Sequence, residues 1–301
     1  MIGEIVGRAV NRQRWLDGVG AGLQKAAGVL FDSLGPASRP VEDVLHGTPA
    51  GHPVHPAIIP VPIGAWTAVL ALDYADKEGA DLALDVGLVG ALAAAVAGIA
   101  DYRYLHGTMR RTGAAHALAN ITGTALYALS SWRRHSGNRS GAAALSTAGY
   151  VFILAGGLLG GELSYTLGVM VNRNAWVTGS SSFTPVMPLV DLEENRPVRA
   201  TTEREDLVLV RRGDQVYALA NSCAHLGGPL SEGELVGDVI KCPWHGSEFR
   251  LEDGRVVCGP SAYHQPCYTA RVRNSLVEVQ LGGEYGEREP WYRVRGEWSA
   301  D

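Results

Sequence analysis

Four long apolar stretches dominate the first part of the chain, at 57–72, 82–100, 113–132 and 142–171. A bilayer's hydrocarbon core of about 30 Å takes about 20 helical residues to cross. The first stretch is short and carries Pro60 and Pro62, so its start is expected in the interfacial region. A helix of a water-soluble bundle shows a polar face, whereas these stretches carry almost no charge on any side. The pattern predicts an all-α domain of four transmembrane helices over 46–172 rather than a soluble bundle. In the fourth stretch Gly156 and Gly160, and likewise Gly157 and Gly161, are four residues apart, a spacing that lets another helix backbone approach closely.

The flanking segments follow other periods. In 1–45, Ile5, Ala9, Leu16, Val19, Leu23, Ala26, Leu30 and Phe31 recur at helical intervals or close multiples, interleaved with Arg8, Arg12, Arg14 and Lys25. This reads as an amphipathic helix lying on the membrane surface or on the bundle, the alternative being a poorly ordered basic leader. Segment 173–185, centred on Thr178-Gly179-Ser180-Ser181-Ser182, reads as a linker. A flexible run of about 10 residues extends roughly 15–20 Å, which holds the following domain near the bilayer. Short β-type runs then occupy 187–192, 198–202, 207–210, 216–221, 268–272 and 277–281, separated by turns such as Arg212-Gly213-Asp214 and Asp253-Gly254. Such punctuation predicts an all-β sandwich or partly open barrel over 186–283. The tail at 284–301, with Trp291, Tyr292 and Trp298, is expected to fold back on that domain or on the membrane edge.

Composition sharpens this division. The 301 residues allow two domains, and the average of 46% hydrophobic against 19% charged residues hides the contrast between the halves. A net charge of −5 gives no sign of nucleic-acid binding. All four Cys lie after residue 220, so they serve one domain and are too few for a disulfide-stapled scaffold. The N-terminus lacks an apolar signal core with a cleavage site and lacks a twin-Arg pair, so no removable signal is expected. With four spans, Arg39, Arg103, Arg110, Arg111 and Arg173 lie on one side and Lys77, Arg133, Arg134 and Arg139 on the other. That near balance discriminates poorly under the positive-inside rule. Missing export signals favour a multi-pass protein of the cytoplasmic membrane with its C-terminal domain on the cytoplasmic side.

The chemistry concentrates in Cys223-Ala-His225-Leu-Gly-Gly-Pro and Cys242-Pro-Trp-His245-Gly-Ser247, two Cys/His pairs separated by 16 residues. Thiolates suit iron–sulfur clusters, and imidazole can replace two of them on one iron. Zinc also takes two Cys and two His, but one residue between Cys and His is tighter than zinc-finger spacing, and neither pair precedes a finger helix. From about 183 to 283 the chain resembles the Rieske [2Fe-2S] family. The resemblance implies that Cys223 and Cys242 bind one iron and His225 and His245 the other, more exposed one. It gives Gly227 and Gly246, beside the pairs, the role of letting the loops approach the cluster and donate N–H groups to its sulfurs.

Neutral imidazoles in place of thiolates make reduction easier, and Rieske centres span about −150 to +300 mV against roughly −400 mV for plant-type clusters. By the same resemblance Ser247 donates a hydrogen bond to cluster sulfur and raises the potential. Phe249 stands where high-potential members carry a Tyr hydroxyl. Gly227 or Gly228, and Trp244, stand where those members carry a disulfide. The chain therefore resembles the ferredoxin-like Rieske branch more than the quinol-oxidising one, with an intermediate to low potential expected. Cys258 and Cys267 are left over and are expected as free thiols in a reducing compartment.

The entry to the first span, Gly51-His52-Pro-Val-His55-Pro56, together with Asp101 and His116, resembles a bacterial four-helix membrane domain of unknown function with an HPxHP motif. Counting along the spans puts His52, His55, Asp101, His106, His116 and Asn120 near the membrane face that the C-terminal domain shares. His116 and Asn120 are one turn apart on a helix face. Glu162 lies about ten residues from the same end of the fourth span, and an intramembrane acid is a functional candidate by default. Three readings stay open: an interfacial hydrogen-bond network, a quinone- or proton-linked site, and haem b or another metal held by paired His.

The favoured function is single-electron transfer between a soluble or membrane redox protein and a membrane partner, quinone or haem, with tethering raising the cluster's concentration at the lipid bilayer. The alternative is a redox sensor whose cluster state controls a partner contact. A Rieske oxygenase needs a further iron held by two His and a carboxylate. Only about 18 residues follow the β-domain and none is His. The chain thus reads as an electron-transfer component of an oxidoreductase system rather than an enzyme by itself, its oligomeric state open, a dimer included.

Overall fold

The computed structural model describes residues 2–75, 79–177 and 182–281. Lys77, the centre of the expected linker at 178–181, and the tail 284–301 lie outside the described residues. The chain divides into two compact units, Met1–Met170 and Val171–Asp301.

The first unit is helical: α1 Ile2–Asn11, α2 Leu16–Asp32, α3 Ser38–His46, α4 Val54–Ile58, α5 Pro60–Tyr74, α6 Ala80–Tyr102, α7 Gly107–His135 and α8 Ala142–Gly161, which continues through a wider π turn at Glu162–Thr166. Three stretches, Val54–Tyr74, Ala80–Tyr102 and Ala142–Thr166, are long and apolar enough to cross a membrane. The third expected span, within α7, is longer at 29 residues but richer in Gly, Thr, Ser, His and Asn. Leu82, Val89 and Leu92 on α6 and Val151 and Leu158 on α8 are more than half exposed, an aliphatic surface rare on water-soluble monomers.

Small residues set the helix spacing. A Cβ on Gly123 would stand 3.0 Å from the Gly149 carbonyl oxygen, and one on Gly149 would stand 3.1 Å from the Gly123 oxygen, so α7 and α8 touch backbone to backbone. Of the two glycine pairs anticipated on α8, Gly156 and Gly160 face α7 at Asn120 and His116, while Gly157 has nothing within 4 Å. Beside them Trp66 and Tyr127 stack at 4.1 Å with their planes 6° apart. At the N-terminal end of α6, Arg134 is buried between Asp73 (2.6 Å) and Asp81 (3.0 Å). From sequence Arg134 counts only among the positive charges flanking the spans; here its single charge is shared by two carboxylates, and Arg139 also holds Asp81 at 2.7 Å.

The N-terminal segment forms three helices rather than one. Leu16, Val19 and Leu23 join a core with Tyr102, Leu105 and Ala114, while Ala27 and Phe31 pack with Ala100. Gln24 donates to the Leu105 carbonyl at 2.7 Å, and Arg111 holds Asp17 through both guanidinium arms at 3.1 and 2.7 Å. The segment therefore lies on the bundle through Leu16, Ala27 and Phe31, which are buried, while Ile5, Ala9, Ala26 and Leu30 of the expected stripe stay exposed.

The second unit holds two antiparallel sheets. One has six strands, β1 Thr184–Pro188, β2 Pro197–Thr201, β3 Asp206–Arg212, β4 Gln215–Ala220, β9 Cys267–Arg273 and β10 Leu276–Leu281, in the order β1-β10-β9-β4-β3-β2. The other holds β5 Glu234–Val236, β6 Val239–Lys241, β7 Glu248–Arg250 and β8 Val256–Cys258. The first strand begins earlier than the expected 187–192, because a 3-10 turn takes over at Leu189–Asp191. None of β5–β8 was anticipated: three residues are too short to show alternation.

Alternation along β3 and β4 builds two cores on opposite faces of one sheet. Leu207, Leu209, Val216 and Ala218 enter one core. Val208, Val210 and Leu219 enter the other, which also contains Phe249, Cys223 and Cys242. The cysteine loops thus rest on a packed apolar floor.

Candidate metal centre

The two Cys/His loops repeat one backbone design. The Gly227 N–H donates to the Cys223 carbonyl (2.8 Å), and the Gly246 N–H donates to the Cys242 carbonyl (3.1 Å). The Cys223 N–H donates to the Gly228 carbonyl and the Cys242 N–H to the Ser247 carbonyl, both at 2.8 Å. Each loop is therefore one turn closed at residue five, where φ is +85° at Gly227 and +77° at Gly246. Only glycine takes that left-handed conformation without a steric penalty.

This design aims amide groups at the sulfurs. The N–H groups of His225 and Leu226 point at the Cys223 sulfur, and those of Trp244 and His245 at the Cys242 sulfur. The N–H groups of Gly227 and Gly246 close the turns that hold these amides in place. The two thiols are buried and in contact. A hydrogen bond from Cys223 holds the Cys242 thiol below its ordinary value, at about 7, and burial opposes this. A Cβ on Gly228 would lie 2.8 Å from the Cys242 sulfur, so a side chain there would intrude on the donor set.

His225 is buried and His245 half-buried, their ring centroids 5.1 Å apart and nearly perpendicular at 86°. Among the described residues no three His, Cys, Asp or Glu side chains gather around one metal position. A structural zinc site needs four ligands on one ion. A pair of thiols in contact and a pair of adjoining imidazoles fit a two-iron group instead, which Cys223, Cys242, His225 and His245 would hold.

Supporting side chains complete the site. Ser247 is fully buried, and its Oγ accepts the Ser261 N–H at 3.0 Å, which leaves its own hydrogen free to donate. Gln265, buried, donates to the carbonyls of Ala220 and Ser222 (both 2.6 Å) and accepts the Ala224 N–H (3.0 Å). Asn174 donates to the Ser222 carbonyl (2.9 Å), and the Arg173 N–H to the Ala224 carbonyl (3.1 Å). Arg173 and Asn174 begin the expected flexible linker, yet here they brace the first loop. Neither Gln265 nor Asn174 was singled out from sequence, and no motif spacing marks them. Cys258 lies in β8, and burial pushes the Cys267 thiol up to about 11.

The polar residues of the helical unit separate into groups. His55 and His116 come together, with ring centroids 6.3 Å apart, and Asn120 stands against His116. Asp101 is buried against His46 at 2.9 Å, a partner outside the sequence motif and therefore missed. His52 and His106 are exposed. Glu162 bonds Thr166 at 2.9 Å and lies against α1, where a Cβ on Gly7 would stand 2.8 Å from its carboxylate.

Family comparisons agree with this division. The Rieske [2Fe-2S] domain matches residues 182–269, and a predicted membrane protein family (DUF2231) matches residues 51–173. The ferredoxin component of the naphthalene 1,2-dioxygenase system of Pseudomonas putida is 30% identical over 93 residues, which are 31% of this chain and 89% of that protein. The ferredoxin CarAc of Metapseudomonas resinovorans is 38% identical over 78 residues, 26% of this chain and 71% of that protein. The oxygenase component of a chloroacetanilide N-alkylformylase from Rhizorhabdus wittichii is 36% identical over 99 residues, but these are only 28% of its length. The chain therefore belongs to the Rieske [2Fe-2S] family, its Rieske domain joined to a separate DUF2231 membrane-protein domain in one polypeptide.

Proposed function

We propose that this protein is a membrane-anchored electron carrier whose [2Fe-2S] cluster is held by Cys223 and Cys242 on one iron and by His225 and His245 on the other. The observation that carries this reading is the repeated loop design, which presents two buried thiols and two adjoining imidazoles. The cluster, when bound, supplies a one-electron couple with a potential in the Rieske range of about −150 to +300 mV. The protein's own part is to exclude water around the thiols, aim four amides at their sulfurs, and leave His245 at the surface for a partner to approach. Relatives named as ferredoxin components of dioxygenase systems support a carrier role. Oxygenase components that match support a soluble redox protein as one partner. Quinone in the bilayer is the proposed second partner. Haem has no support from these relatives and forms no part of the proposal.

Anchoring is proposed through four spans in the cytoplasmic membrane, with the Rieske domain on the cytoplasmic side. Between Arg111 and Arg133, α7 carries no Asp, Glu, Lys or Arg over 21 residues, about 31 Å of helix. Polar groups near one end of it find partners within the bundle, Ser130 with Ala142 and Ser146, and Ser131 with Asp85. Such internal pairing supports the reading of α7 as a fourth span despite its low hydropathy. The test is a reductive titration of purified membranes followed by EPR and optical spectroscopy, coupled to quinone reduction. Turnover of electrons to quinone is the expected result. A cluster signal that merely changes state without turnover favours a sensor, and a preparation without iron overturns the reading.

A further inference from the structure

We infer that His55 and His116 form a second metal site, within the helical unit, for one transition-metal ion of the copper class. Both imidazoles are oriented by the same device. The Nδ1 of His55 lies 2.7 Å from the Ala94 carbonyl oxygen on α6, and the Nδ1 of His116 lies 2.8 Å from the Gly156 carbonyl oxygen on α8. In each case the residue four positions on, Gly98 or Gly160, opens the space for the ring. A Cβ on Gly98 would stand 2.9 Å from His55 Nδ1, and one on Gly160 would stand 3.2 Å from His116 Cε1. Two helices thus carry matching cradles, each a carbonyl at one position and a glycine one turn later.

The chemistry of the cradle selects the ligand. A backbone carbonyl only accepts hydrogen bonds, so Nδ1 carries the proton and Nε2 is left with a lone pair. Metal-binding histidines are commonly oriented this way, with the second nitrogen donating to a carbonyl. The Asn120 amide nitrogen lies 3.3 Å from His116 Nδ1 and 3.2 Å from Nε2. Near-equal distances put it over the ring face, so it does not occupy the in-plane lone pair. The ring centroids are 6.3 Å apart. Two imidazoles bound to one ion through Nε2, at about 2.0–2.1 Å each, bring their centroids to roughly 5 Å in a tetrahedral arrangement and to roughly 6.4 Å when they stand opposite each other, so the observed separation fits the opposed pair of a tetragonal copper site. A quinone carbonyl is itself an acceptor and gains nothing from two lone pairs, whereas a cation of imidazole-seeking character does. The remaining coordination positions are left for water or an external ligand.

The site is independent of the cluster, and the test keeps the two apart. Full-length protein in detergent, with its cluster and without tag histidines, is freed of loose metal by a chelator and titrated with Cu²⁺. The expected result is one Cu²⁺ per chain whose EPR spectrum shows coupling to two imidazole nitrogens. His55→Gln and His116→Gln should each weaken binding by at least about tenfold, while His52→Gln and His106→Gln should leave it unchanged. A wild-type spectrum without imidazole coupling, or undiminished affinity in the double variant, overturns the inference. The wild-type spectrum decides by itself should a variant fail to fold. The cluster's own EPR signal on reduction reports separately on the proposed electron carrier.

Discussion

The backbone N–H of Ser261 donates to the Ser247 hydroxyl oxygen at 3.0 Å, fixing that hydroxyl in a fully buried position beside the cysteine loops. With its acceptor side engaged, the hydroxyl has its hydrogen to give. A donor near cluster sulfur stabilises the more negative, reduced state. Ser247→Ala is expected to lower the midpoint potential by about 60 mV, the one-electron equivalent of a tenfold change. Ser247→Thr, which keeps the hydroxyl, should stay near wild type in an EPR-monitored redox titration.

Gln265 bonds the first cluster loop at Ala220, Ser222 and Ala224. Gln265→Leu removes three buried hydrogen bonds, a loss of roughly 2–4 kcal/mol. The expected outcome is a lower denaturant midpoint for the Rieske unit and faster bleaching of cluster absorbance on dilution into chelator. Unchanged bleaching would show that the loop holds its shape without this side chain.

Trp244 is 57% exposed, next to His245 in the second loop. An exposed aromatic beside the candidate outer ligand suits a partner's docking surface, where truncating one such anchor commonly costs more than about 1 kcal/mol. Trp244→Ala should therefore slow electron uptake from a soluble reductase about tenfold in stopped-flow measurements. The midpoint potential and cluster content should not move; if they do, the ring acts on the cluster and not on a partner.

Arg134 and Asp73 are buried together, with side-chain exposures of 3% and 8%. Removing one member of such a pair leaves an uncompensated charge and costs about 3–5 kcal/mol, whereas replacing both with apolar groups is often neutral. Arg134→Met should markedly lower the thermal midpoint of the helical unit, followed by helical circular dichroism in detergent. Arg134→Met with Asp73→Leu should recover most of the loss, and equal damage in both would assign the effect to packing alone.

Much of this protein was legible along the chain. The apolar runs, the β-type punctuation and the four candidate ligands are local patterns, since helix period, turn residues and Cys-to-His spacing each operate over a few residues. The identity of the amides aimed at each sulfur was not, because it depends on turns closed by the N–H and the positive φ of Gly227 and Gly246. Nor do local patterns show how α7 accommodates the polar groups that lower its hydropathy: His116 and Ser130 bond to α8 and Ser131 to α6.

By itself the sequence determined where the chain enters an apolar phase, where it becomes a sheet, and which thiols and imidazoles stand in pairs. Only the tertiary structure decided that Gln265 braces the loop of Cys223, that His46 meets Asp101, and that His55 and His116 face each other across two glycine cradles. These partners lie tens of residues apart, and nothing in a local period encodes which distant carbonyl or carboxylate a side chain will meet. That is settled by helix packing at glycine contacts and by strand order, which follow from burying the whole apolar surface at once.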